Sequence, residues 1–151
     1  MIISTHIISG GFAGEMLQNP ILAFLVGIIS HFILDAVPHT DNFMDGKCRW
    51  NCKQTIFTSV DIFLTIGLLV FLHPALTIHN SFWWGALGGL LPDLIDNVPI
   101  LRGYLLKYKI VQKYHAFHEA THLLREPNII LGMLSQVMMI VVFVALYFVV
   151  K

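Results

Sequence analysis

Charged side chains are scarce in this sequence of 151 residues. Only 12% of the residues are Asp, Glu, Lys or Arg, whereas 56% are hydrophobic, and the mean hydropathy is +0.74. A soluble globular domain carries roughly 25% charged residues, so this composition predicts a membrane protein. The 9 basic and 9 acidic side chains cancel, and the charge therefore indicates no nucleic-acid partner.

Cysteine is also rare. Cys48 and Cys52 flank Trp50, a spacing typical of neither a redox C-x-x-C motif nor a zinc knuckle, and we interpret them as a reduced, structural pair. No basic residue precedes the N-terminal apolar run, so we expect that run to belong to the fold rather than to a cleaved signal peptide. The length predicts a single domain over residues 1–151.

Apolar runs divide the chain and predict an all-α, polytopic membrane protein with four to five membrane helices plus a cytoplasmic amphipathic helix. A helix needs about 20 apolar residues to cross a bilayer. The predicted membrane segments are Met1 to Leu17, which either spans or re-enters, Pro20 to Val37, Thr55 to Leu72, Phe82 to Ile95 and Asn128 to Val150. The basic amphipathic helix is predicted over Arg102 to Arg125.

Basic residues indicate the orientation. Nearly all of them fall in residues 47–53 and 102–125, and loops rich in Lys and Arg face the cytoplasm. We therefore expect a multi-pass membrane protein with both of these segments in the cytoplasm. In this topology most His and Asp residues lie at the cytoplasmic face, which predicts one site facing the cytoplasm.

The first candidate site is the stretch SHFILDAVPHTD, which ends an otherwise apolar segment. His31 and Asp35 are four residues apart and share one face of a helix. Pro38 cannot continue the helix, so the chain should leave it near residue 37, with His39 and Asp41 just beyond. Ionisable groups in membrane segments are costly and indicate function, and this set predicts a metal site.

A second candidate is the segment PDLIDNVP. Asp93 and Asp96 share a helical face near a C-terminal end, where the helix dipole disfavours carboxylates unless a cation binds them. The segment also resembles HFILDAVP at residues 31–38. A duplicated helix of this kind predicts a site at the interface between the two copies.

The third candidate is KYHAFHEATHLL. His115, His118, Glu119 and His122 form one helical stripe, and HEATH matches the H-E-x-x-H pattern of zinc proteases, in which Glu is the general base. The alternative is a basic helix lying on anionic lipid with its histidines at the interface.

Together these segments form a pool of candidate metal ligands larger than one tetrahedral zinc ion uses, so two or three divalent ions, with zinc favoured, are predicted. The pool is His6, His31, Asp35, His39, Asp41, Asp93, Asp96, His115, His118 and His122. Glu119 and Asp61 are the candidate catalytic residues, as proton shuttles. For Asp61 a metal ligand, an acceptor that orients a histidine, and a neutral acid all stay open.

These motifs resemble the YdjM-like inner-membrane metal-dependent hydrolases. The shared features are Thr5-His6, the SHFILDAVPHTD and LLPDLID segments, and a late histidine cluster ending in Thr121-His122. The family's H-R-x-x-T-H-S is here H-E-A-T-H followed by Leu123. Because that family is distantly similar to zinc-dependent phospholipase C, the resemblance implies hydrolysis of phosphate esters. Membrane lipids are then the expected partners, and a phosphoester or lipid-like molecule is the expected substrate.

Two alternatives remain. An intramembrane zinc metalloprotease would carry H-E-x-x-H before its second motif, N-x-x-P-x-x-x-L-D-G, and here the order is reversed, so this reading ranks second. A non-enzymatic metal transporter would line a path with Asp and His. The clustering of such residues at one face favours a site over a path.

Overall fold

The structure is a computed structural model that describes residues 1–40, 52–72, 78–122 and 128–150. These ranges form helices and contain no β-strand, which confirms the all-α prediction. The helices are α1 (Ile3–Glu15), α2 (Pro20–Asp35), α3 (Cys52–Leu72), α4 (Asn80–Asn97), α5 (Pro99–Leu105), α6 (Lys109–Thr121) and α7 (Ile129–Val150).

Helices α1, α2 and α4 pack against one another through glycines. A Cβ atom on Gly85 of α4 would lie 2.2 Å from the carbonyl oxygen of Gly10 in α1, and one on Gly27 of α2 would lie 2.1 Å from that of Gly85. No side chain fits at such distances, so only glycine allows the three backbones to come this close. Small residues drive the association of helices in membranes in the same way. This packing positions the site residues of three helices relative to one another.

The N-terminus of α1 is held by neighbouring helices. The first N–H groups of a helix have no partner within it. Here the Ile2 N–H donates to Gln136 Oε1 of α7 at 2.6 Å, and the Ser4 N–H donates to Asp61 Oδ2 of α3 at 3.0 Å. These two bonds determine where the first turn of α1, and with it His6, lies.

Helix α2 has clear start and stop signals. The Asn19 side chain accepts hydrogen bonds from the Ile21 and Leu22 N–H groups at 3.0 and 3.1 Å, and Pro20 occupies the first helical position. The helix ends at Asp35, close to the end that Pro38 predicts. His31 and Asp35 therefore occupy its last turns.

The prediction of one amphipathic helix over Arg102 to Arg125 is wrong. Tyr108 has an extended backbone (φ −95°, ψ 128°), which ends the helical run between α5 and α6. The segment YLLKYK around this break contains no Gly, Pro or Asn that would mark it in the sequence. The break allows α5 to turn back, so that Arg102 reaches His115 on α6.

Within the described ranges, α7 is the helix that is long and apolar enough to cross a membrane, with 22 residues and a mean hydropathy of 2.6. Two further apolar helical segments, Pro20–Asp35 and Thr55–Phe71, are shorter. Helix α1 has 13 residues and is about 20 Å long at 1.5 Å per residue, against a hydrocarbon core of about 30 Å. Helix length therefore does not confirm the four to five crossings, the inner-membrane location or the cytoplasmic orientation.

Candidate metal centre

The predicted ligands converge at the C-terminal ends of α2 and α4 and the N-terminal end of α1, and α6 packs against them through His118. Buried contacts join residues of α1, α2, α4 and α6 with the segment after α2. The predicted ligands brought together are His6, His31, Asp35, His39, Asp93, Asp96, His115, His118 and His122. Asp41 lies outside the described residues. The two copies of the predicted repeat lie on α2 and α4, which pack against each other, and both contribute to the cluster.

His31, Asp35 and His118 form the centre of this cluster. Asp35 Oδ2 lies 3.0 Å from His31 Nε2 and 3.1 Å from His118 Nε2, and the two nitrogens are 3.1 Å apart. All three side chains are almost fully buried. The predicted four-residue pairing of His31 with Asp35 is confirmed, and α6 supplies the third group.

Hydrogen bonds fix the tautomers of three histidines. His31 Nδ1–H donates to the Gly89 carbonyl at 2.8 Å, His39 Nδ1–H to the Val37 carbonyl at 2.7 Å, and His118 Nδ1–H to Asp96 Oδ2 at 2.7 Å. Because these oxygens only accept, Nδ1 of each ring carries a hydrogen, and Nε2 is left to bind a proton or a metal ion. Metal-binding histidines are held in this way by carbonyl or carboxylate oxygens.

The convergent Nε2 atoms need a positive charge between them. Two lone pairs and a carboxylate oxygen lie about 3 Å from one another, an arrangement that repels unless a proton or a cation sits there. Zinc bonds of about 2.1 Å in a tetrahedron separate neighbouring ligand atoms by about 3.4 Å. The three atoms at the centre are therefore spaced almost as zinc ligands are.

His6 and Asp93 extend the cluster on the α1 side. The His6 ring stacks on His31 with centroids 3.9 Å apart. Its Nε2 lies 3.3 Å from Asp35 Oδ1 and 3.8 Å from Asp93 Oδ2. Both residues are fully buried, and within the described part of the chain neither His6 nitrogen nor Asp35 Oδ1 makes a hydrogen bond of good geometry; Asp35 Oδ1 has an ion pair with the terminal amino group of Met1 at 3.6 Å. Buried groups without partners are costly, and a metal ion would satisfy both.

His39 and His122 extend the cluster on the opposite side. His39 Nε2 lies 3.2 Å from His122 Nδ1, and His122 Nε2 lies 3.6 Å from Asp35 Oδ2. Three groups have ligand atoms within 4.8 Å of one another: His6, His31 and Asp93; His31, Asp35 and His118; and Asp35, His39 and His122. The residues present thus fit one or more divalent cations.

Asp96 and His115 belong to none of these groups but support His118 from behind. Arg102 Nη2 donates to His115 Nε2 at 3.0 Å, and His115 Nδ1–H donates to Asp96 Oδ1 at 2.9 Å. Both nitrogens of His115 are thereby used, which leaves none for a metal. Asp96 in turn holds His118. The structure places these two predicted ligands in a second layer, a role that the sequence analysis did not assign to either of them.

The two predicted proton shuttles, Asp61 and Glu119, are more exposed than most of the candidate metal ligands. Asp61 is half-buried, and its Oδ2 accepts from the Ser4 N–H at the start of α1. It therefore orients α1, which carries His6. Glu119 lies on the exposed side of α6, next to buried His118. In the H-E-x-x-H arrangement the glutamate would face the ion together with the histidines.

His118 carries the electrostatic signature of the centre. Burial opposes its charged form, but the hydrogen bonds of Asp35 and Asp96 outweigh burial and raise the pKa of His118 to about 9. Without a metal, His118 therefore holds a second proton at neutral pH. That proton occupies the position that a divalent cation would take.

Sequence reasoning missed Arg102 as part of the site and did not consider Tyr114. Arg102 entered only as one of the basic residues that indicate orientation, and Tyr114, which shares α6 with Phe117, was assigned no role. The Tyr114 hydroxyl is buried and makes no hydrogen bond with any described residue. Arg102 belongs to none of the candidate motifs, and Tyr114 lies within KYHAFHEATHLL, where the interpretation rested on the histidines and Glu119.

Comparisons with models of protein families, with curated proteins and with solved structures found no match to this chain.

Proposed function

We propose that this chain is a membrane-embedded, metal-dependent hydrolase that binds zinc and cleaves a phosphoester or lipid-like substrate at the cytoplasmic face. The observation that carries the proposal is the set of three overlapping, buried ligand groups around Asp35. A cation would neutralise the lone pairs that converge in these groups and would satisfy the buried atoms of His6 and Asp35 that make no hydrogen bond. Sites that hold two metal ions occur in phosphatases and nucleases.

The arrangement favours two ions rather than three. His31 has one nitrogen left after its bond to Gly89, so it can serve one ion only, although it belongs to two of the groups. One ion would then be held by the group around His6, and the other by Asp35 and His118 together with His39 and His122. The two oxygens of Asp35 face His6 and His122 respectively, so this carboxylate would help to hold both ions.

The ions, when bound, would lower the pKa of a water molecule and polarise the phosphoryl group. The chain itself orients the ligands through the backbone carbonyls of Gly89 and Val37 and through the Asp96 carboxylate. In the reaction a water oxygen bonds to phosphorus, the phosphorus–oxygen ester bond breaks, and the alcohol leaves with a proton. The cluster is buried among helices, which excludes bulk water and strengthens these electrostatic effects.

An exposed apolar surface supports the membrane setting. Ile21, Leu25, Ile29 and Ile33 follow one another at every fourth position of α2, and they are 73%, 49%, 56% and 63% exposed. Soluble proteins rarely expose a continuous apolar row of this kind. Ile33 lies two residues from both His31 and Asp35 in the sequence, so the row ends at the level of the cluster but on the opposite face of α2.

Zinc content tests the proposal. We expect the wild-type protein, purified in detergent and dialysed against zinc, to hold about two zinc ions per chain. His31→Ala should hold at most one, because that histidine belongs to two ligand groups. His79→Gln is the matched control, since the His79 ring pairs with Glu15 at the far end of α1 from His6.

The zinc-loaded protein should hydrolyse p-nitrophenyl phosphate, and His31→Ala should lose this activity. Equal zinc content in wild type and His31→Ala would eliminate the site. Zinc binding without hydrolysis of phosphate esters or peptides, together with zinc flux into liposomes, would replace the hydrolase with a transporter.

A further inference from the structure

The Tyr114 hydroxyl lies beside the metal centre without a partner. It is buried and forms no hydrogen bond within the described ranges. Its ring packs against Phe32 of α2 with centroids 6.5 Å apart, and against His118 at 6.0 Å. A buried hydroxyl without a hydrogen bond costs about 1–3 kcal/mol. A ligand that accepts a hydrogen bond would remove this cost.

The surroundings of Tyr114 indicate what kind of ligand its hydroxyl could bind. The carboxylates of Asp96, Asp93 and Asp35 lie close enough to act on the hydroxyl electrostatically. Each of them is already engaged: Asp96 accepts from His115 and His118, Asp93 accepts from Asn97 at 2.8 Å, and Asp35 lies against His31 and His118. The tyrosine therefore faces a polar site and bonds to none of its carboxylates, which leaves its hydrogen for a bound substrate.

A second buried donor lies in the same second layer. Arg102 uses Nη2 to hold His115, whereas its Nε is buried and has no hydrogen-bond partner among the described residues. Two donors, one neutral and one cationic, thus border the cluster. Both match an anionic oxygen, and neither matches an amine or an apolar group.

Charge balance indicates the charge of that anion. Two divalent ions would bring four positive charges against the carboxylates of Asp35, Asp93 and Asp96. Arg102 and the terminal amino group of Met1, which lies 3.6 Å from Asp35 Oδ1, add two more. The loaded site then has an excess of three positive charges. A phosphate monoester, a dianion near neutral pH, offsets two of them, whereas a phosphodiester offsets one and a peptide bond none.

We propose, building on the hydrolase function above, that the site takes phosphate monoesters and that the Tyr114 hydroxyl donates a hydrogen bond to a non-bridging phosphate oxygen. The hydroxyl keeps its proton throughout the reaction. The attacking water supplies the new oxygen on phosphorus, and the leaving alcohol takes the proton, so the products are an alcohol and inorganic phosphate. Because the acceptor is the phosphate group itself, the same contact serves a lipid phosphate and a soluble one.

The binding of inorganic phosphate to the zinc-loaded protein tests this proposal. Calorimetry should give a Kd that is about 10- to 100-fold weaker for Tyr114→Phe than for wild type, because a hydrogen bond to a charged group is lost. The zinc content should stay unchanged. Tyr104→Phe is the matched control, since Tyr104 is 59% exposed on α5 and should bind phosphate as wild type does.

Turnover of three substrates separates the possible sources of the phosphate. Phosphatidic acid in detergent micelles and glycerol 3-phosphate in solution are both monoesters, whereas bis-p-nitrophenyl phosphate is a diester. Cleavage of phosphatidic acid alone would identify a lipid substrate, and cleavage of both monoesters a soluble phosphate group. Faster cleavage of the diester would overturn the monoester assignment.

The other outcomes separate this inference from the proposed function. A wild-type protein that holds no zinc would remove the hydrolase proposal itself. Zinc without phosphate binding, or an equal Kd for wild type and Tyr114→Phe, would overturn the present inference and leave the metal site standing. Loss of zinc from Tyr114→Phe would show that the tyrosine is structural and would also overturn it.

Discussion

Replacing Asp96 by asparagine tests whether this residue positions His118 or binds the metal directly. Asp96 accepts from His118 at 2.7 Å with Oδ2 and from His115 at 2.9 Å with Oδ1. An amide of the same shape has one oxygen and one NH₂ group. If the amide oxygen still accepts from His118, the NH₂ group faces the Nδ1–H of His115, and two donors then oppose each other. His115 can avoid this only by changing tautomer, and its Nε2–H would then oppose Arg102 Nη2, which lies 3.0 Å away.

The expected loss is moderate because the ions keep all their ligands. Removing a residue that orients a metal-binding histidine typically costs 10- to 100-fold in metal affinity, which corresponds to about 1.4–2.7 kcal/mol. The number of zinc ions bound should not change. A direct ligand would behave differently, since its loss would remove an ion or weaken binding far beyond this range.

Competition with a chromophoric zinc chelator measures both quantities. Asp61→Asn is the matched control, because its amide oxygen can still accept from the Ser4 N–H, and it should bind zinc as wild type does. An affinity of Asp96→Asn equal to that of wild type would refute the positioning role. A lower zinc stoichiometry would return Asp96 to the set of metal ligands that the sequence predicts.

Three further predictions follow from the same geometry. Gly89→Ala places a Cβ atom 2.3 Å from the His6 carbonyl oxygen, so it should separate α1 from α4, lower the thermal midpoint of unfolding and reduce the zinc content. Gly67→Ala is the control: its Cβ atom would meet nothing within 4 Å, so the thermal midpoint and the zinc content should not change. Zinc must displace the proton of His118, whose pKa is about 9. The affinity for zinc should therefore rise about tenfold per pH unit up to that value and then level off. A zinc affinity that does not vary between pH 7 and 9 would contradict this prediction. Asp61→Ala should lower the thermal midpoint, because the Ser4 N–H at the start of α1 loses its acceptor at a cost of about 1 kcal/mol. The zinc stoichiometry should stay constant. A thermal midpoint equal to that of wild type would show that this hydrogen bond contributes nothing to stability.

The candidate ligands could be found from the sequence because they are local patterns. His31 and Asp35 are one helical turn apart, and so are His118 and His122, so their shared faces follow from helix geometry alone. The faint likeness between residues 31–38 and 92–99 also indicated that α2 and α4 would share a site. Helix type and approximate bounds followed from apolar runs. The break between α5 and α6 did not, since no residue there disfavours a helix strongly.

What the sequence determined by itself is the set of side chains able to bind a cation and the helices that carry them, because both depend on spacing of a few residues. The tertiary structure alone decided which of those side chains face one another. Only the close packing of α1, α2 and α4 through glycines brings His6 against His31. Only the turn after α5 lets Arg102 occupy the second nitrogen of His115 and so remove it from the ligand set. Whether a histidine binds a metal depends on which of its nitrogens is already engaged, and that is settled by partners far away in the chain.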